Sequence, residues 1–199
     1  MMKMMIIGAT GSIGRSVRAK LLNTTDAQLK LVSRHATSLP VDTAREEAVN
    51  LNVLDTAALT QALNGVDAVF AAVSGDMAGM ARSIVAAMTA AGVQRVVFIS
   101  SMGIYDEVPA SVGGSNLSDS PVLLPYRRAA DAFTESSLNY TVIRPGWFDN
   151  GSDDYEVTRE GEAFGGHDVS RHAIAMLAVA ALQDEHLYSK ESVGINRPQ

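Results

Sequence analysis

Near its amino terminus the chain reads Met5-Ile6-Ile7-Gly8-Ala9-Thr10-Gly11-Ser12-Ile13-Gly14-Arg15, an apolar run that breaks into three evenly spaced glycines. Lys3 to Ile7 reads as a buried strand, and Ser12 to Leu22 carries Ile13, Val17 and Leu21 at helical spacing. The glycines therefore fall at a strand-to-helix turn. Gly8 can take backbone angles that a side chain forbids, Gly11 lets the main chain approach a ligand closely, and Gly14 lets the helix pack tightly on the strand. The N–H groups of the helix's first turn then face a pyrophosphate, helped by the helix dipole. Three glycines alone are a weak signal, but the end of an amino-terminal strand is where a dinucleotide-binding fingerprint belongs. No Gly-Lys-Ser/Thr closes the motif, which excludes a P-loop.

Strand-like and helix-like segments alternate from there to residue 145. Strands are predicted over Gln28–Ser33, Ala48–Val53, Asp67–Ser74, Val93–Ser101 and Tyr140–Arg144. Helices are predicted from Thr56, over Ala78–Ala91 and over Tyr126–Ser136, with a long loop after Ser101. The fourth strand is almost wholly apolar, as a strand covered on both faces should be. Such alternation predicts an α/β, Rossmann-type, doubly wound parallel sheet with right-handed crossovers, whose ligands bind beyond the carboxyl ends of the strands. At 199 residues with 47% hydrophobic side chains, the chain is expected to form a single nucleotide-binding domain over 1–199. Trp147 to Gln199, with a helix at Ser170–Leu182, is expected to contribute a small substrate-side cap at the sheet's edge.

Charge and residue usage narrow the function. A net charge of −6 with no basic run argues against nucleic acid or an anionic membrane as partner. Cysteine is absent, which excludes disulfides and thiolate chemistry. The apolar start is cut short by Gly8 and no run approaches a membrane span, so the expected location is the cytoplasm, as a monomer or homodimer. His35, His167, His172 and His186 show no metal-ligand spacing, so no metal is expected.

After the second strand stands Ser33-Arg34-His35, where a dinucleotide fold often carries a carboxylate for the ribose 2′-hydroxyl. A hydroxyl and a guanidinium suit a 2′-phosphate instead, which favours NADP(H) over NAD(H). Arg15 either assists or sits in solvent.

Gly-Ala-Thr-Gly-Ser-Ile-Gly at 8–14, this Ser-Arg, Val-Val-Phe-Ile-Ser-Ser at 96–101, Tyr-Thr-Val-Ile-Arg-Pro-Gly at 140–146 and Val-Ser-Arg at 169–171 occur in matching order. Together they resemble the atypical and extended short-chain dehydrogenase/reductases, especially the compact NmrA-like, NAD(P)-binding group. The resemblance implies that Thr10, Gly11, Ser12, Ile13 and Gly14 bind pyrophosphate, that Asn52 and Val53 flank the adenine, and that Ala72, Val73 and Ser74 line the path to the nicotinamide ribose. It also implies that Pro145 and Gly146 lie near the nicotinamide. Asn52 stands where relatives usually carry Asp.

Members that transfer hydride use a serine, a tyrosine and a lysine. Ser101 and Tyr126, 25 residues apart, match the serine and tyrosine as the catalytic pair, but the lysine position four residues on is Ala130. A phenol of pKa ~10 is a poor base at neutral pH, so a neighbouring cation matters. Three readings follow: activation by Arg127 or Arg128; an acceptor such as a quinone, whose second proton comes from water; or a non-catalytic, redox-sensing regulator that binds NADP(H). Tyr126 itself is either catalytic or half packed in the core. Trp147-Phe148 could stack on a flat substrate or pack the cap, Met77 and Met80 could line a pocket or fill the core, and the offset of Tyr105 points to packing. The expectation is an NADP(H)-dependent oxidoreductase acting on a small apolar acceptor.

Overall fold

The computed structural model describes residues 1–198. β1 (Lys3–Ile7) leads into α1 (Ser12–Thr24), then β2 (Gln28–Ser33), β3 (Glu46–Asn50), α2 (Thr56–Ala62), β4 (Ala68–Ala71), α3 (Met77–Ala91) and β5 (Arg95–Ile99). After a long loop come α4 (Leu124–Thr134), β6 (Asn139–Pro145), β7 (Trp147–Asp149), β8 (Glu156–Arg159), β9 (Asp168–Ser170), α5 (Arg171–Gln183) and β10 (Glu191–Asn196). Eight strands form one sheet in the order β3-β2-β1-β4-β5-β6-β10-β8, parallel except for β8. The chain winds outward from β1 to β3 and crosses back to β4, so the order reverses between β1 and β4. That is the crevice where a doubly wound sheet binds its ligand.

Period-two alternation distributes the central strands between two cores. Met4 and Ile6 of β1, with Phe70 and Val97, pack beneath α1 and α5. Met5 and Ile7, with Val69, Val96 and Phe98, pack beneath α2, α3 and α4. Sheet and helices thus form the three layers of a Rossmann fold.

The predicted fourth and fifth strands run long at their carboxyl ends. β4 stops at Ala71, opposite Ile7, and β5 stops at Ile99, so Ala72, Val73, Ser74 and Ser101 lie in loops just beyond them. β3 comes earlier than expected, because its ladder with β2 pairs Leu29 with Glu46 and ends with Ser33 opposite Asn50. Buried Glu46 breaks the apolar signal there. Asn52 instead turns the chain, its side-chain oxygen accepting from the Leu54 N–H at 3.2 Å.

The carboxyl-terminal segment departs most from expectation. Only the β7–β9 ribbon sits beside the cleft as a cap does. α5 packs against α1 in the core, and β10 is inserted in the main sheet, parallel to β6. Ala173, Ile174, Ala175, Leu177 and Ala178 are all buried, a helix apolar on too many sides for a surface element.

Candidate functional site

The glycine turn forms a cradle. Gly8 has φ +85° and donates its N–H to the Val32 carbonyl at 2.9 Å, and a Cβ at Gly8 would overlap the Ala72 carbonyl. A Cβ on Gly14 would overlap the Gly8 carbonyl oxygen and lie 3.1 Å from the Ala9 Cα, so α1 sits directly on the turn. Gly11 caps α1 in extended geometry with no side-chain cap, and no acidic residue occupies the first turn. Among the described residues the N–H groups of Ser12, Ile13 and Gly14 have no acceptor. Unpaired donors at an uncapped helix start, with exposed Gly11 and Ser12 leaving room above them, fit a pyrophosphate.

The neighbouring strand ends bring the other expected contacts to the same edge. Ser33 is half-buried, and its hydroxyl oxygen accepts from the His35 N–H at 3.2 Å. Arg34 and Arg15 are exposed, and neither is paired with a carboxylate among the described residues. Val53 is buried beneath Asn52, its carbonyl accepting from the Ser83 hydroxyl at 2.6 Å. Ala72 and Val73 are half-buried and Ser74 is exposed, on the loop leaving β4.

Ser101, Tyr126, Pro145 and Gly146 meet in one cavity of about 510 Å³, at the carboxyl ends of β5 and β6. Main-chain and side-chain bonds hold its walls. The Met102 N–H donates to the Pro145 carbonyl at 3.1 Å, and the Ser100 hydroxyl donates to the Tyr126 carbonyl at 3.2 Å, tying α4 to β5. Gly146 passes so close to the His167 carbonyl that a Cβ would overlap it. Trp147 and Phe148 form one wall, and the Trp147 ring stacks on His167 at 6.1 Å.

The lysine position is empty of charge. Ala130 is fully buried, and Arg127 turns away from the cavity: its Nε donates to Asp131 at 2.7 Å, and its guanidinium lies 4.8 Å over the Tyr105 ring. Arg128 is exposed and outside the cavity wall. The cation in the wall is Arg171, which sequence reasoning passed over as a site residue. Its Nη1 donates to the Asp149 carbonyl at 2.9 Å and to Asn150 Oδ1 at 3.1 Å, with Phe148 5.7 Å beneath the guanidinium. One signal was available: a basic residue in the first turn of a helix opposes the dipole and calls for another reason to be there.

Behind the cavity, the loop after β5 is built around Glu107. Its carboxylate accepts from the N–H groups of Gly103 and Tyr105, at 3.1 and 2.8 Å, and pairs with fully buried Arg144. Arg144 in turn donates to the Ser192 hydroxyl at 3.2 Å, fastening the loop to β10. Tyr105 lies between Arg127 and Arg144, packs against the core outside the cavity wall, and has its phenol pKa pushed up by burial. Met77 is buried and Met80 packs against the core, away from the cavity. Asp153 is engaged rather than loose in solvent. It accepts from Ser170 at 2.8 Å and lies 2.6 Å from His172, and these contacts hold its carboxyl below the usual range.

The cradle, the strand order and the cleft define a dinucleotide-binding Rossmann protein. The chain belongs to the NAD(P)H-binding family, whose model matches residues 8–185. It is 34% identical to a Rossmann-fold NAD(P)-binding family protein from Shigella flexneri, with a TM-score of 0.84 over 100% of this chain and 94% of that one. A short-chain dehydrogenase/reductase from Veillonella parvula, solved in complex with NADP, is 28% identical, with a TM-score of 0.90 over 99% of this chain and 95% of that one. In Streptomyces griseus a (4-alkanoyl-5-oxo-2,5-dihydrofuran-3-yl)methyl phosphate reductase is 30% identical over 72% of this chain, which spans 47% of that relative's length. An uncharacterized sugar epimerase of Bacillus subtilis is 28% identical over 93% of this chain and 90% of its own. Among the described residues no helix is long and apolar enough to cross a membrane.

Proposed function

We propose that this protein is an NADP(H)-dependent oxidoreductase that passes hydride to a small, flat, apolar acceptor such as a quinone. The observation that carries the reading is the cavity at Ser101 and Tyr126, whose walls are mainly apolar and whose tyrosine has buried Ala130, not a cation, one helical turn on. When bound, the reduced coenzyme supplies the hydride and water a proton, so that a quinone leaves as hydroquinone and the coenzyme as its oxidised form. In this reading the Ser101 hydroxyl, which donates to the Met102 carbonyl at 3.1 Å, turns to hydrogen-bond an acceptor oxygen. Trp147 and Phe148 offer flat surface to an aromatic acceptor, and Pro145 and Gly146 shape the floor. The protein's part is to hold two reactants face to face.

Preference for NADP(H) is supported by unpaired Arg34 beside Ser33 at the end of β2, with Arg15 exposed nearby on α1. The solved NADP complex of the Veillonella relative agrees with it. NADPH oxidation followed at 340 nm against a panel of quinones and carbonyl compounds tests the function. Turnover with quinones is expected; tight coenzyme binding with no turnover of any acceptor would leave a redox-sensing regulator as the better account.

A further inference from the structure

Of the side chains lining the cavity, Arg171 alone carries a formal charge. Its Nη1 donates only to neutral oxygens, those of the Asp149 main chain and the Asn150 amide, and its Nε and Nη2 have no acceptor among the described residues. The carboxylates nearby are taken: Asp149 accepts from Arg197 at 2.7 and 2.8 Å, and Asp153 is held by Ser170 and His172. The first turn of α5 disfavours a cation, so the helix dipole gives no reason for an arginine there. Arg171 is half-buried, and the fork of its guanidinium matches a carboxylate or phosphate.

We infer that Arg171 anchors an anionic group, a carboxylate or a phosphate monoester, carried by an otherwise apolar ligand lying along Trp147 and Phe148. Among flat acceptors, those bearing such a substituent are then preferred. What happens to the ligand rests on the hydride-transfer reading; what it carries rests on the placement of Arg171 alone.

Calorimetry on the full chain saturated with NADP⁺, using octyl phosphate, octanoate and octanol, separates the two. At least one anion should bind about tenfold to a hundredfold more tightly than octanol, the range of one charge-assisted contact. In R171Q that ratio should fall below about threefold. Equal binding of all three by the unaltered chain, or an unchanged ratio in R171Q, would overturn the inference. So would a loss of NADP⁺ affinity in R171Q of more than about tenfold, which would assign the guanidinium to the coenzyme. The unaltered chain provides a readout that needs no folded variant: octyl phosphate, but not octanol, should shield Arg171 from phenylglyoxal, read by peptide mass. Shielding by neither, or equally by both, counts against the anchor. None of these measurements requires turnover, so the quinone assay can fail while the anion preference stands, and the reverse.

Discussion

Tyr126 is the residue on which the chemistry turns. Ala130 is buried where a lysine would stand, Arg127 is committed to Asp131 and Arg128 is exposed outside the cavity wall, so no cation sits one helical turn from Tyr126. A positioned proton donor contributes about a hundredfold to ten-thousandfold to a rate. Y126F is therefore expected to lose less than about tenfold in kcat with a quinone, measured by NADPH oxidation. A loss of a hundredfold or more would make the phenol an essential acid. At the other end of the cleft, R34D should invert the ratio of NADPH to NADH affinity. Removing one charge-assisted contact and adding repulsion shifts that ratio by more than about tenfold in fluorescence titration. An unchanged ratio would remove Arg34 from the coenzyme site.

At the scale of the element, the turn between β1 and α1 separates fold from ligand within three residues. Gly14 has no room for a methyl, because its Cβ would overlap the Gly8 carbonyl. G14A must push α1 off the turn, and overpacking of this kind costs about 1–3 kcal/mol, readable as a lower melting temperature together with weaker NADPH binding. Gly11 meets only the Gly8 oxygen, at 3.2 Å, and otherwise faces open space. G11A is expected to weaken NADPH binding at least about fivefold while the melting temperature changes little, since the chain-entropy gain of Gly→Ala offsets a small local strain. Equal stability losses in both variants would mean that Gly11 serves the fold and not the ligand.

At the scale of the whole molecule, an ion pair joins the helix layer to the sheet. Arg18 of α1 reaches Glu46 of β3 with its Nε at 2.5 Å and its Nη2 at 2.7 Å, and the Glu46 side chain is only 1% exposed. Its hydrogen bond from Arg18 is the main cause that holds the carboxyl below its ordinary value. A carboxylate depressed in the folded state stabilises fully above its unfolded pKa, and loses that contribution as pH falls through the folded value. Unfolding free energy should therefore drop as pH is lowered below about 4.5, the ordinary value for the group. E46Q should be less stable at pH 7 by about 3 kcal/mol and should show a shallower acid decline in urea titrations. Parallel pH profiles for the two proteins would assign the acid sensitivity elsewhere.

Short-range physics made much of this legible from the residues alone. Apolar runs located β1, β2, β4, β5 and β6, and helical spacing located α1 and α3. Glycine sterics defined the cradle, because each of those signals is written within a few neighbouring positions. What only the tertiary structure decided depends on pairing across long separations. β10 enters the main sheet because its register with β6 buries Val193 and Ile195, although it is short and interrupted by Gly194. Arg171 faces the cavity because β9, which runs into α5, pairs with β7 and lays its guanidinium over Phe148. Local composition cannot encode which distant strand becomes a neighbour, and that choice set the charge of the pocket wall.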